Sequence, residues 1–204
     1  MGIVSKYARN KKNASAVTRE VRSFATPVQR TVLRQNSTRP TGHSTTSSKS
    51  DASVYKNCPR GFFRLGGSGL AQVFNRTGGT PPDLDSPADL VAFFAATRTL
   101  MQESRLLAYH DRSDGGLFVT LAEMAFASTV GIEARVPPLG DDPLAVLFAE
   151  ELGAVIQVAD TDLPRVTAVL REHALCDCAV LLGKPTPDRV LTIRWGTRLL
   201  FQER

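Results

Sequence analysis

Residues 110–116 read His-Asp-Arg-Ser-Asp-Gly-Gly and join the apolar run "LLAY" (106–109) to the apolar run "LFVTLAEMAFAS" (117–128). The spacing predicts a strand ending at Tyr109, a turn, and a helix starting at about Gly116. At such a junction backbone N–H groups and the positive end of the helix dipole face outward, which suits an anion. Gly115 and Gly116 would let the backbone approach a ligand closely, and Ser113 can donate to a phosphate oxygen. Asp111 and Asp114 would repel a phosphate unless a divalent cation lay between. Carboxylates plus phosphate oxygens are the usual way magnesium is held. The residue types therefore fit a magnesium–nucleotide loop. They also fit plain helix capping, with Ser113 or Asp114 as N-cap, Asp111 in an Asx-type turn and the glycines only permitting the bend. His110 by itself fits a packed or solvent-facing turn residue. The local chemistry leaves both readings open.

The elements around the loop alternate. "RLGGSGLAQVF" (64–74) reads as a glycine-rich turn entering an apolar-faced helix, followed by a loop of turn residues at 76–85. Ser86 with Asp89 predicts a capped helix over 87–104, its apolar positions Leu90, Phe93, Phe94, Thr97, Leu100 and Met101 at helical spacing. Strands are expected at 131–136, 153–158, 178–183, 189–195 and 198–202. Helices are expected at 141–151 and 162–174, and the last two strands should form a hairpin at Gly196-Thr197. Strands interleaved with helices and closed by a hairpin predict an α/β or α+β fold, a mixed sheet with helices packed on it.

Charge separates the chain into two parts. Residues 1–60 hold 12 of the 25 Lys and Arg with only Glu20 and Asp51 as acids, and the remaining 144 residues carry a net charge of −5. The first part, 1–60, reads as a basic, Ser/Thr-rich, disordered leader, either an organelle transit peptide or a non-native extension. The second, 61–204, reads as the folded domain. With the basicity confined to the leader, nucleic acid is not expected as a partner. A basic arm binding nucleic acid is the exception, and it requires the leader to be native. Cys58, Cys176 and Cys178 lack a second ligand pair for zinc. No apolar run nears the roughly 18 residues a membrane span needs. The end at "LLFQER", on a strand, reads as a truncation.

"LLAYHDRSDGGLFVTLAEMAFAS", with "RLGGSGLAQVF" upstream and "LFAEELGAVIQV" downstream, resembles the large-type phosphoribosylformylglycinamidine synthase family across about residues 62–203. The shorter "HD-x-[ST]-D-GG" core also occurs in aminoimidazole ribonucleotide synthetase, selenophosphate synthetase and thiamine-monophosphate kinase. The resemblance implies part of the second C-terminal-type domain of the synthetase module, an incomplete fold like the C-terminal domain of aminoimidazole ribonucleotide synthetase. It implies purine biosynthesis: formylglycinamide ribonucleotide becomes its amidine, with ATP activating the amide oxygen as an iminophosphate and ammonia from glutamine displacing phosphate. It implies ATP or ADP and magnesium as cofactors, Asp111 as a magnesium ligand, and Ser113 as a nucleotide contact at an auxiliary site. Neither is expected to be a general acid or base. Gly66, Gly67 and Ser68 of the "LGGS" turn match a motif near the ligand clefts, with no role assigned, and His110, Asp114, Gly115 and Gly116 would line the same cleft. The expected partners are the nucleotide and the remaining synthetase and glutaminase domains, and the expected setting is the cytoplasm, or an organelle if the leader is a transit peptide. Strands that would precede "LGGS" are expected to be missing, leaving a bare sheet edge. That edge motivates the alternative of a non-catalytic assembly or regulatory module.

Overall fold

The computed structural model describes residues 51–56, as backbone, and 62–204; all lie within one compact unit, Ser44–Arg204. Its elements are β1 (Asp51–Lys56), α1 (Gly69–Val73), α2 (Pro87–Gln102), β2 (Ala108–Asp111) and α3 (Gly116–Ser128). They continue with β3 (Gly131–Val136), α4 (Pro143–Phe148), β4 (Ala154–Ala159), α5 (Leu163–Glu172), β5 (Ala179–Thr186), β6 (Leu191–Trp195) and β7 (Arg198–Glu203). The strands form a seven-stranded sheet in the order β2-β4-β1-β5-β3-β6-β7. Every neighbouring pair is antiparallel except β3 and β6, so the sheet is mixed, as expected.

β1 corrects two expectations. It lies inside the 60 residues read as a disordered leader, and it pairs with β4 on one side and β5 on the other. One strand before "LGGS" is therefore present among the described residues, lying between β4 and β5 where a bare edge was expected. Its six residues are too short to show a convincing alternation. Two flanking ladders, contributed by residues more than 95 positions away in the sequence, supply what the local pattern cannot. Residues 1–50 and 57–61, including Cys58, lie outside the described residues, so the leader reading rests there on the sequence.

Helices cover both faces of the β2-β4 end of the sheet. α2 and α5 pack together over Val158, with Ala96, Leu100, Val166, Val169, Leu170 and Leu175 forming a buried cluster. α3 lies on the other face. Its Leu117 and Leu121 are fully buried, and Phe118 stacks on Phe148 of α4 at 5.2 Å and meets Phe201 of β7 edge-on at 5.0 Å. α2 starts where expected, with the Ser86 hydroxyl accepting from the Asp89 N–H at 3.3 Å. Its apolar residues do not form one face, however. Phe93, Ala96 and Leu100 are buried, whereas Phe94 and Met101 point to solvent at 64% and 63% exposure. Adjacent helical residues lie about 100° apart, so docking one on the core turns the next away.

β2 is displaced from the expected 106–109. Its ladder with β4 runs from Ala108↔Gln157 to Asp111↔Ala154, which brings His110 and Asp111 into the strand. The apolar run marked burial, but β4 set the ends. No helix of the described residues is long and apolar enough to cross a membrane.

α2 and α5 are also joined by charge. Arg165 grips Glu103 through two bonds, Nη2 to Oε1 at 2.6 Å and Nε to Oε2 at 2.9 Å. That grip holds the Glu103 carboxyl below its ordinary range, against a smaller opposing effect of burial. A carboxylate lowered in the folded state stabilises above its unfolded pKa and loses that contribution as pH falls through its folded value. Glu103→Gln should therefore be less stable than wild type at pH 7. The difference in urea midpoint should close as pH drops below the ordinary carboxylate range; a gap that persists in acid would contradict the pairing.

Candidate functional site

Two glycine turns meet at the N-termini of α1 and α3. The turn before α1 is pinned by its own surroundings. Gly66 N–H donates to Thr80 O at 3.0 Å and Gly67 N–H to Thr77 O at 3.1 Å. Ser68, fully buried, donates its hydroxyl to Leu65 O at 2.8 Å and accepts from Ala71 N–H at 3.2 Å as the α1 N-cap. The polar groups of "LGGS" are thus spent on the fold: a helix cap and a loop anchor.

The second turn carries the exposed chemistry. Asp111, Ser113 and Asp114 all face solvent, and the Asp111 side chain is 68% exposed. Gly115 and Gly116 sit at φ +80° and +64°, a region that strains any residue with a Cβ. At Gly116 a Cβ would also lie 2.8 Å from the carbonyl oxygens of Leu147 and Ala149, so α3 can approach the end of α4 only with glycine there. Gly115 is the N-cap of α3 and offers no side-chain bond; neither Ser113 nor Asp114 caps the helix. The capping reading fails at those two residues.

The expectation of an open anion hole at the α3 N-terminus is also corrected. Glu150 Oε1 accepts from Gly115 N–H and from Gly69 N–H, each at 2.8 Å. One carboxylate of the protein therefore occupies the N-terminal ends of both helices, where the dipoles favour negative charge. Its neighbour Glu151 completes the junction. The Glu151 carboxylate, almost entirely buried, accepts three bonds from Arg64: from N–H at 3.1 Å, from Nε at 2.7 Å and from Nη2 at 2.8 Å. Arg64 continues to Asp85, with Nη2 to Oδ2 at 2.8 Å, and these two carboxylates push its pKa up. The main-chain oxygen of Glu151 accepts from Arg112 Nε at 2.6 Å. Burial lowers the Arg112 guanidinium to about 10, with Glu151 opposing the shift; it stays a cation at neutral pH.

His110 is a packed residue. Its Nε2 lies 2.8 Å from Glu123 Oε2 on α3, and its Nδ1 lies 2.7 Å from the main-chain oxygen of Asp111. Among the described residues no group of three or more His, Cys, Asp or Glu is placed to hold a metal. Asp111 offers one hard oxygen donor. That is compatible with magnesium held by one carboxylate together with phosphate oxygens and water, and not with an all-protein cage.

The residues carrying the sequence reading thus separate. Asp111, Ser113 and Asp114 are presented outward, whereas Gly66, Gly67, Ser68, His110, Gly115 and Gly116 build the junction beneath them. Sequence reasoning missed Arg64, Arg112, Glu123, Glu150 and Glu151. The adjacent acids in "LFAEELG", directly after an apolar helix and before a buried strand, were the available signal, since charges so placed need partners.

The profile of the family described as AIR synthase related protein, C-terminal domain, matches residues 60–196. Among solved structures, the chain is similar to T. maritima PurL complexed with ATP, at 12% identity and TM-score 0.57, over 78% of this chain and 25% of that one. It is similar to T. maritima PurL complexed with FGAR, at 17% identity and TM-score 0.57, over 78% and 28%. Phosphoribosylformylglycinamidine synthase II from Thermotoga maritima aligns at 14% identity and TM-score 0.57, over 79% and 26%. The chain spans about a quarter of the length of these structures, and at such identities the likeness is one of fold.

Glu150→Ala would leave two helix-terminal N–H groups without their charged acceptor. It should lower stability by about 2 to 4 kcal/mol, read from urea unfolding. A change within about 0.5 kcal/mol, the range of ordinary surface substitutions, would show that Glu150 does not hold the turns.

Proposed function

The chain belongs to the family of AIR synthase related proteins through their C-terminal domain, and from that premise we propose that it supplies part of a magnesium–nucleotide site in purine biosynthesis. The reaction is the ATP-dependent and glutamine-dependent conversion of formylglycinamide ribonucleotide to its amidine. The observation that carries the reading is the exposed Asp111–Ser113–Asp114 edge, set on a junction that Glu150 and Glu151 tie together. Asp111 would provide one oxygen to magnesium, with phosphate oxygens and water supplying the rest. The Ser113 hydroxyl would donate to a phosphate oxygen. Because Glu150 already takes the Gly115 N–H, phosphate recognition falls to Ser113 and the metal rather than to the helix terminus.

These are binding roles. Neither residue would serve as a general acid or base, and the nucleotide would be held at an auxiliary position. Proteins of similar fold complexed with ATP and with FGAR support the substrate class. The glutaminase and the rest of the synthetase would come from other domains. The alternative, an assembly or regulatory module, was motivated by a bare sheet edge, and β1 removes that motivation.

In titration calorimetry the full chain should bind ADP weakly and only with magnesium present, and Asp111→Ala should lower that affinity by about tenfold or more, as expected for a lost ligand. Unchanged affinity in Asp111→Ala would remove Asp111 from the site. The full chain should release no ammonia from glutamine; measurable release would overturn the placement of glutaminase chemistry elsewhere.

A further inference from the structure

Glu123 is the one acidic side chain on α3, a helix otherwise built from apolar and small residues apart from two hydroxyls. Its side chain is 10% exposed, and that of its partner His110 is 11% exposed. A carboxylate this deep is costly unless it is paired, and neither helix formation nor core packing calls for one. Its partner points toward the proposed site. His110 Nε2 lies 2.8 Å from Glu123 Oε2, while Nδ1 lies 2.7 Å from Asp111 O and 3.9 Å from Asp111 Oδ1. The Thr120 hydroxyl, one turn earlier on α3, donates to Gly116 O at 2.9 Å and only approaches the Asp111 carbonyl, at 3.5 Å. One side chain of α3, Glu123, thus holds the last residue of β2 through the imidazole.

We infer that Glu123 is a positioning residue: through His110 it fixes the main chain from which the Asp111 carboxylate projects, and so raises affinity for a magnesium-bound nucleotide. The inference rests on the reading of Asp111 as a metal ligand. An exposed carboxylate at the end of a four-residue edge strand must lose freedom when it binds a metal. Holding its backbone in advance reduces that cost. Partners behind a ligand typically alter metal affinity 10- to 100-fold when removed.

The test titrates magnesium into the full chain at fixed ADP, for wild type, Glu123→Gln, Glu123→Leu and His110→Phe, with urea unfolding in parallel. Glu123→Leu should raise the magnesium concentration at half-saturation by about tenfold or more, while Glu123→Gln, which keeps an acceptor for Nε2, should stay within about threefold of wild type. His110→Phe keeps a ring and loses both contacts, so it should match Glu123→Leu and carries the test if the leucine variant does not fold. Reduced stability with an unchanged magnesium requirement would make Glu123 a structural link only and overturn the inference. Wild type that binds ADP without magnesium, or Asp111→Ala that binds as wild type does, would instead overturn the reading of the site itself.

Discussion

Two adjacent carboxylates, Glu150 and Glu151, tie together parts of the chain that are far apart in sequence. Glu150 receives the first N–H groups of two helices, and Glu151 receives Arg64 from one turn through its carboxylate and Arg112 from the other through its main-chain oxygen. Remove them and the "LGGS" and "HDRSDGG" turns have little reason to adjoin. Each carboxylate is offset by charge-assisted bonds, which are the condition for burying such groups. Gly116 supplies the complementary steric constraint, allowing α3 to seat on the carbonyls at the end of α4. The outward posture of Asp111, Ser113 and Asp114 follows from this junction.

This arrangement changes how the loop could receive an anion. A strand-to-helix turn with paired glycines looks like an open cradle of backbone donors. Here the protein fills the cradle with its own carboxylate, so in the proposed site a ligand would be left with side chains and a metal. The distinction matters for specificity. Backbone donors at a helix terminus would accept many anions, whereas a serine hydroxyl plus a carboxylate-bound divalent cation favours a metal-chelated phosphate. The fold resembles that of PurL, and the family membership is carried by the sequence profile over residues 60–196.

The architecture was largely legible because most elements are punctuated. Ser86 with Asp89 and Gly196 marked boundaries that the structure keeps or shifts by only a few residues. Three features were not legible, each for the same physical reason. β1 is a six-residue strand whose stability lies in ladders to β4 and β5. β2 has ends chosen by β4 and not by its own apolar run. The outward turn of Phe94 and Met101 depends on which side of α2 docks. In the site, residue types around "HDRSDGG" pointed to phosphate and magnesium, but they could not show that Glu150 would arrive from 35 residues downstream to take the glycine N–H. Long-range partners of single residues leave no periodic trace. Paired acids between an apolar helix and a buried strand were the one trace left.

The central claim is that Glu150 keeps the helix N-termini while a nucleotide is met by Asp111 and Ser113. The most direct measurement is a titration of the ¹⁵N-labelled full chain with magnesium and ADP, followed by amide chemical shifts and hydrogen exchange. The amides of Asp111, Ser113 and Asp114 should move, while Gly69 and Gly115 keep their positions and their protection. Large shifts at Gly69 and Gly115 with Ser113 unmoved would mean that phosphate displaces Glu150, and would contradict the account.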